Sequence, residues 1–162
     1  MKNLTKSLLA ASLLISGSAF AADSGTTKVK GHVTEICELE GVPMMVSLGD
    51  DPTNGAYVHE GGMTVTCNNP HGATFTLSRS KGKLVNDWDE TLGLNYKAEL
   101  DVAIDDFPKV VLKDGALTES KDVDRDMMLA MGADAGIHIT LMEEPKFSGW
   151  YFDELTVAIA GR

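Results

Sequence analysis

Three groups of residues in this 162-residue chain have the types and spacing to do chemistry. Asp122, Asp124 and Asp126 place carboxylates at alternate positions, the way a calcium loop begins, because hard cations want several oxygen ligands. The rest of that loop fails: Met127 stands where glycine is required and Ala133 where a bidentate glutamate is required, so the run reads as a solvated acidic loop. Met127, Met128 and Met131 form an M-M-x-x-M cluster whose thioethers suit Cu(I), with His138 and Met142 as further candidate ligands. Core packing is the simpler account, since methionine fills irregular gaps and a short helix over one end of a β-fold would use it so. Trp88 and Trp150 could stack on sugar rings. Trp150 adjoins the last strand and reads as core, whereas Trp88, in Asn86-Asp87-Trp88-Asp89-Glu90, sits in a polar loop and is the better ligand candidate. Nucleophilic catalysis has no footing: there is no G-x-S-x-G, and His32, His59, His71 and His138 fall in no recognisable motif. The reading is a chain with no catalytic role, no cofactor and no metal.

The cysteines and the N-terminus bear on each other. Lys2 and Lys6 precede the apolar run 8–15 and the small-residue site Ala19-Phe20-Ala21, which together read as a secretory signal peptide over residues 1–21. A membrane anchor is the weaker reading, because charged and glycine-rich sequence follows at once. Export places Cys37 and Cys67, the chain's two cysteines, where disulfides persist, and they are expected to pair. Closing a loop of about 30 residues contributes about 3–4 kcal/mol on the chain-entropy estimate. A redox or metal pair is disfavoured, since no C-x-x-C spacing is present. The remaining 141 residues suit one domain with its own core. Loss of Lys2 and Lys6 takes the formal charge from −10 to −12. Such a surface repels phosphate, which argues against nucleic acid and anionic lipid as partners. No second apolar stretch approaches membrane-spanning length, so no membrane insertion of the mature chain is expected.

The elements that must position these residues are strands. Apolar residues recur at every second position between Gly, Pro, Asn and Asp punctuation. Val29, Gly31 and Val33 share one face of a first candidate, and Met44, Val46 and Leu48 mark a second. Met63, Val65 and Cys67 alternate with threonines, as do Phe75 and Leu77. The series Leu92, Leu94, Tyr96, Ala98, Leu100, Val102, Ile104 predicts one long strand, or two joined by a bend. Val110 to Leu112 is short; residues 122–135 read as a loop with one helical turn; Ile137, Ile139, Leu141 and then Leu155, Val157, Ile159 resume the alternation. Asp50-Asp51 and Asp105-Asp106 read as turn residues. Seven or eight short strands predict an antiparallel β-sandwich.

Several of these segments, taken in order, have a specific likeness. A strand ending at Cys37 is followed by Val65-Thr66-Cys67-Asn68-Asn69-Pro70, the strand over 74–78, Leu94-Asn95-Tyr96-Lys97-Ala98, and the closing Gly149-Trp150-Tyr151-Phe152-Asp153-Glu154-Leu155-Thr156-Val157-Ala158-Ile159. This resembles the spore coat protein U / archaic chaperone-usher pilin family over nearly the whole mature chain. The resemblance implies an all-β, immunoglobulin-like antiparallel sandwich lacking its final strand. The groove edge would be Leu155, Val157 and Ile159, and only Ala160, Gly161 and Arg162 follow them. It further implies a signal peptide over 1–21, an N-terminal extension over 22–34 and a pilin-like domain over 35–162. Val29, Gly31 and Val33 of the extension would be donated to a neighbour's groove by β-strand addition. The implied partners are copies of the chain or related pilin subunits, a periplasmic chaperone and an outer-membrane usher. The implied destination is a fimbrium at the cell surface with an adhesion or biofilm role. The alternative reading makes 22–34 the first strand of a self-complete secreted binding module for carbohydrate or a metal ion.

Overall fold

The computed structural model describes residues 27–113 and 115–162. The chain forms two compact units, Met1–His32 and Val33–Arg162. The expected leader over 1–21 and residues 22–26 lie outside the described residues; within the first unit, residues 27–32 carry neither strand nor helix.

The second unit is built from strands β1 (Cys37–Glu40), β2 (Tyr57–Cys67), β3 (Ala73–Arg79), β4 (Leu84–Asn86), β5 (Gly93–Leu94), β6 (Tyr96–Val102) and β7 (Val110–Leu112). After them come β8 (Thr118–Val123), helix α1 (Met127–Met131), β9 (Ala133–Leu141), β10 (Tyr151–Phe152) and β11 (Leu155–Gly161). All pairings are antiparallel. A five-stranded sheet runs β1-β2-β9-β6-β7, a three-stranded sheet runs β11-β3-β8, and a small sheet runs β10-β4-β5. The fold is an all-β sandwich. Met63, Val65, Leu100, Val110, Leu112, Ile137 and Ile139 of the large sheet share one buried cluster with Ala73, Phe75 and Leu77 of β3. Strict alternation of buried and half-buried positions along β3 and β6 is what a period of two demands when one face meets the core. Cys37 and Cys67 are Cα partners in the β1–β2 ladder and form the expected disulfide. In β2 the register shifts between Glu60 and Met63, a bulge that Gly62 accommodates at φ 86°.

Several expectations are corrected. Residues 27–36 carry no strand, so Val29, Gly31 and Val33 are not a first strand of the sandwich, and the first strand is β1. Residues 41–56 carry none either: Gly41, Pro43, Gly49, Pro52 and Gly55 interrupt any ladder, while Val46 and Leu48 still pack half-buried against the core from an irregular loop and Met44 is exposed. The long series over 92–104 is two strands in different sheets, parted at Asn95, which is the bend the alternation allowed. Strand β8, Thr-Glu-Ser-Lys-Asp-Val, was not anticipated because only its last residue is apolar; its pairing with β3 makes it a strand. Asp106 sits in a turn and Asp51 at a bend, at φ 58° and 51°.

Candidate functional site: a seam between two sheet edges

Two sheets that share a core present four edges. β7 and β8 lie close together along one seam, and β1 and β11 along the other; neither seam is bridged by a backbone ladder. The two seams differ in chemistry. On the first, Val110 and Leu112 of β7 are fully buried, and β8 sets Glu119 opposite Leu77 and Lys121 opposite Phe75, on the face that looks to the core. Their stems cover the apolar layer while the charged heads reach water and pair at 3.5 Å. Inward charges of this kind blunt an edge against a further strand.

The second seam has no inward charge along β11 itself; its one nearby carboxylate, Glu35, lies at the end of the strand against Gly161 and accepts from Asn69 Nδ2 at 2.8 Å. β11 reads Leu-Thr-Val-Ala-Ile-Ala-Gly, seven residues without a charge or a proline, and among the described residues it pairs with β3 alone. Leu155, Val157 and Ile159 face the core opposite Arg79, Leu77 and Phe75; those three β3 residues are buried, whereas their β11 partners are only half-buried. Across the seam Cys37 and Leu39 of β1 are half-buried as well. A row of backbone donors and acceptors thus lies beside incompletely covered apolar side chains, which is what an added strand would use.

Local contacts fix both banks of the seam. Asp153, just before β11, accepts from Ser80 Oγ at 2.8 Å, from the Lys81 amide at 2.9 Å and from its neighbour's amide at 2.8 Å through Oδ1, while Tyr96 Oη donates to its Oδ2 at 3.0 Å. Burial, and then the Asp153 carboxylate, hold the Tyr96 phenol well above its ordinary range, so it stays a donor. Arg79 is buried beneath this point, with its guanidinium 4.7 Å over the Tyr96 ring, Nη1 donating to the Tyr96 carbonyl at 2.9 Å and Nε to that of Ala116 at 2.7 Å. On the other bank, Asn68 clamps the approach to β1: its Oδ1 accepts from the Ile36 amide at 2.8 Å and its Nδ2 donates to the Thr34 carbonyl at 2.9 Å. The disulfide secures the same bank one residue later.

The donor candidates Val29, Gly31 and Val33 are exposed and unladdered. Trp150 is not core, as its position beside the last strand suggested: it is 63% exposed, stacked near Phe152 with ring centroids 6.4 Å apart. Trp88 is exposed as its polar loop predicts. Buried Asn86 holds the Trp88 loop, its Nδ2 donating to the Ser148 carbonyl at 3.2 Å and its Oδ1 accepting from the Trp88 and Asp89 amides, while Trp150 is held by Asp87, whose Oδ1 accepts from the Trp150 amide at 3.2 Å and whose own amide donates to the Trp150 carbonyl at 2.9 Å. Gly149, at φ 131°, has no room for a Cβ, which would lie 2.5 Å from the Asn86 amide nitrogen. Asp122, Asp124 and Asp126 do not converge on one point: Asp122 accepts from Thr74 Oγ1 and shares Arg162 with Asp124, at 3.8 and 3.1 Å, while Asp126 caps α1. The methionines of α1 are exposed, against the core reading, and the helix buries only Leu129.

A cluster that single-strand patterns did not reveal lies on the outer face of the large sheet. His59 and His138 are cross-strand partners with ring centroids 4.2 Å apart, Tyr57 Oη hydrogen-bonds His138 Nδ1, and Asp101, itself paired with Lys109 at 2.8 Å, lies 3.6 Å from His138 Nε2. Burial, then the Lys109 charge and His59, push the His138 pKa below its ordinary value. Among the described residues, no group of three or more His, Cys, Asp and Glu side chains is arranged to hold a metal ion, and no helix is long and apolar enough to cross a membrane.

No protein-family model matches the chain, and no curated protein does.

Proposed function

We propose that this chain is a structural subunit of a surface fibre, assembled when a strand from a neighbouring copy adds to the β1/β11 seam. The observation that carries the proposal is the contrast between the seams: charge guards the β8 edge, while the β11 edge is apolar, uncharged and only half covered. The exposed segment leading into the Thr34–Asn68 clamp is the donor, with Val29, Gly31 and Val33 facing the neighbour's core. β1 and β11 lie close together, so the incoming strand parts them as it pairs with β11. Insertion of one copy into the next is head-to-tail and does not close on itself, which yields a fibre rather than a ring. The likeness to the spore coat protein U / archaic chaperone-usher pilins supports the same reading. It supplies the route: export through a signal peptide, protection of the seam by a periplasmic chaperone, and ordered addition at an outer-membrane usher. No catalytic step is assigned to the chain.

The test is deletion of residues 22–34. The shortened protein should fold, keep its disulfide and fail to polymerise, and a synthetic peptide of residues 22–34 should bind it. Fibres from the shortened protein would overturn the donor assignment. A second reading, a self-complete module that binds carbohydrate, is favoured by the exposed Trp88 and the Trp150–Phe152 pair. The two separate cleanly in solution: mature protein that stays monomeric at high concentration with a high melting temperature supports the module and counts against the fibre.

A further inference from the structure

The structure leaves three thioethers together on the surface. Helix α1 is anchored through Leu129, which is 1% exposed, while Met127, Met128 and Met131 are 72%, 54% and 78% exposed. At about 100° of turn per residue, the three methionines fall within an arc of about 100° and Leu129 points roughly opposite. Met131 lies four residues from Met127 and three from Met128, the spacings at which helix side chains are neighbours, so its flexible thioether sits between the other two and the three can reach one point. Asp126 holds the helix in place by accepting from the Met128 and Leu129 amides at 2.7 and 3.2 Å.

Core filling, the usual employment of methionine, does not describe this protein. Of the seven described methionines, only Met63 is buried. Leucine would form the helix equally well and offer the same apolar area, so what three methionines add at this spot is sulfur. Thioether sulfur is a soft, neutral donor that prefers soft cations such as Cu(I) over Zn(II), Ca(II) or Mg(II). It needs no deprotonation to bind, unlike thiolate or imidazole. Both cysteines of the chain are committed to the disulfide, which leaves methionine as its source of soft ligands. The neighbouring carboxylates are already engaged, Asp122 and Asp124 with Arg162 and Asp126 in capping α1, so the site rests on the sulfurs and not on local charge.

We infer that Met127, Met128 and Met131 form a binding site for one soft monovalent cation, Cu(I) or its redox-inert analogue Ag(I), on the outward face of α1. His138 and Met142, which the sequence offered as further ligands, are placed elsewhere: His138 is engaged by Tyr57 and His59, and Met142 lies in a shallow depression with Asn95, Tyr96 and Glu143. The site is therefore made of the three thioethers alone. Met127 lines a depression with Cys67 and Asn68 at the β1 bank, but the site does not rest on fibre formation.

The experiment uses the mature, disulfide-intact protein labelled at the methionine methyl carbons and titrated with silver nitrate in chloride-free buffer. The methyl signals of Met127, Met128 and Met131 should shift together and saturate at one equivalent, while that of buried Met63 stays in place and reports an intact core. Zinc at the same concentration should move none of them. Met131→Leu should weaken silver binding, and the triple change to leucine should weaken it at least tenfold with Met63 unmoved. Silver binding that survives the triple change, equal response to zinc, or no response of these methyls would each overturn the assignment.

Discussion

Moving the guard of one seam onto the other tests the central argument. Val157 faces the core opposite buried Leu77 and is half-buried in the free subunit. Full burial of a valine is worth about 1.5–3 kcal/mol, so Val157→Lys forfeits roughly 1 kcal/mol in the free subunit, part of it regained as the lysine stem lies along the apolar layer and its ammonium reaches water through the seam. For a chain of this size that lowers the melting temperature by about 3 °C. A strand added to β11 closes that exit. The ammonium is then covered without a partner, at a cost on the order of 3–5 kcal/mol, which weakens strand addition by at least about 100-fold. Thr156 is exposed on the opposite face of the same strand, and Thr156→Lys should alter neither property. Sedimentation velocity and electron microscopy of the two mature variants at matched concentration read the difference. Fibres of ordinary length from Val157→Lys, or equal damage from Thr156→Lys, would refute the assignment of strand addition to this edge.

Other perturbations reach other parts of the argument. Replacing Cys37 and Cys67 by serine should lower unfolding free energy by about 3–4 kcal/mol in urea titrations, and reduction of the native protein should reproduce that loss. Asp153→Ala removes an acceptor of four hydrogen bonds that fastens the start of β11, and should cost about 2–4 kcal/mol while leaving Tyr96 without its partner; Asp153→Asn, which keeps part of the network, should cost less. His138 is held neutral by burial and by its neighbours, so its folded pKa lies below the unfolded value of about 6.5. Its contribution is fully present above that value and is lost as pH falls below about 6.5 toward the depressed folded pKa. The urea midpoint should therefore drop more steeply between about pH 7 and 5 in the native protein than in His138→Gln, and identical slopes would contradict it.

The sequence was most legible where one chain segment meets one core. Phe75 and Leu77, Met63 and Val65, and Ile137 and Ile139 show their buried faces through alternation alone, because a half-buried strand obliges every second residue to be apolar. The disulfide was legible from the count of two cysteines together with the export expected from the N-terminus. What escaped depended on a partner strand. β8 has charges at positions facing the core, tolerable only at an edge where their heads reach water, so its pattern resembles a loop. Conversely, Met44, Val46 and Leu48 alternate yet form no strand: Val46 and Leu48 pack against the core from a glycine- and proline-broken loop, while Met44 is exposed. The methionines of α1 and Trp150 misled for a related reason: apolar type suggests burial, but nothing local says whether a short helix or a two-residue strand has enough neighbours to cover them. The seam, and the His59–His138 pair, exist only once strands far apart in sequence are set side by side.

If strands add as proposed, the pair Glu119–Lys121 gives each molecule a valence. One margin of the sandwich would reject visitors and the other accept them, so a monomer would offer a single socket, and growth through it would be linear and have a direction. Erasing those two charges should do more than lower solubility: it would create a second socket, and lengthening without branching would give way to a network.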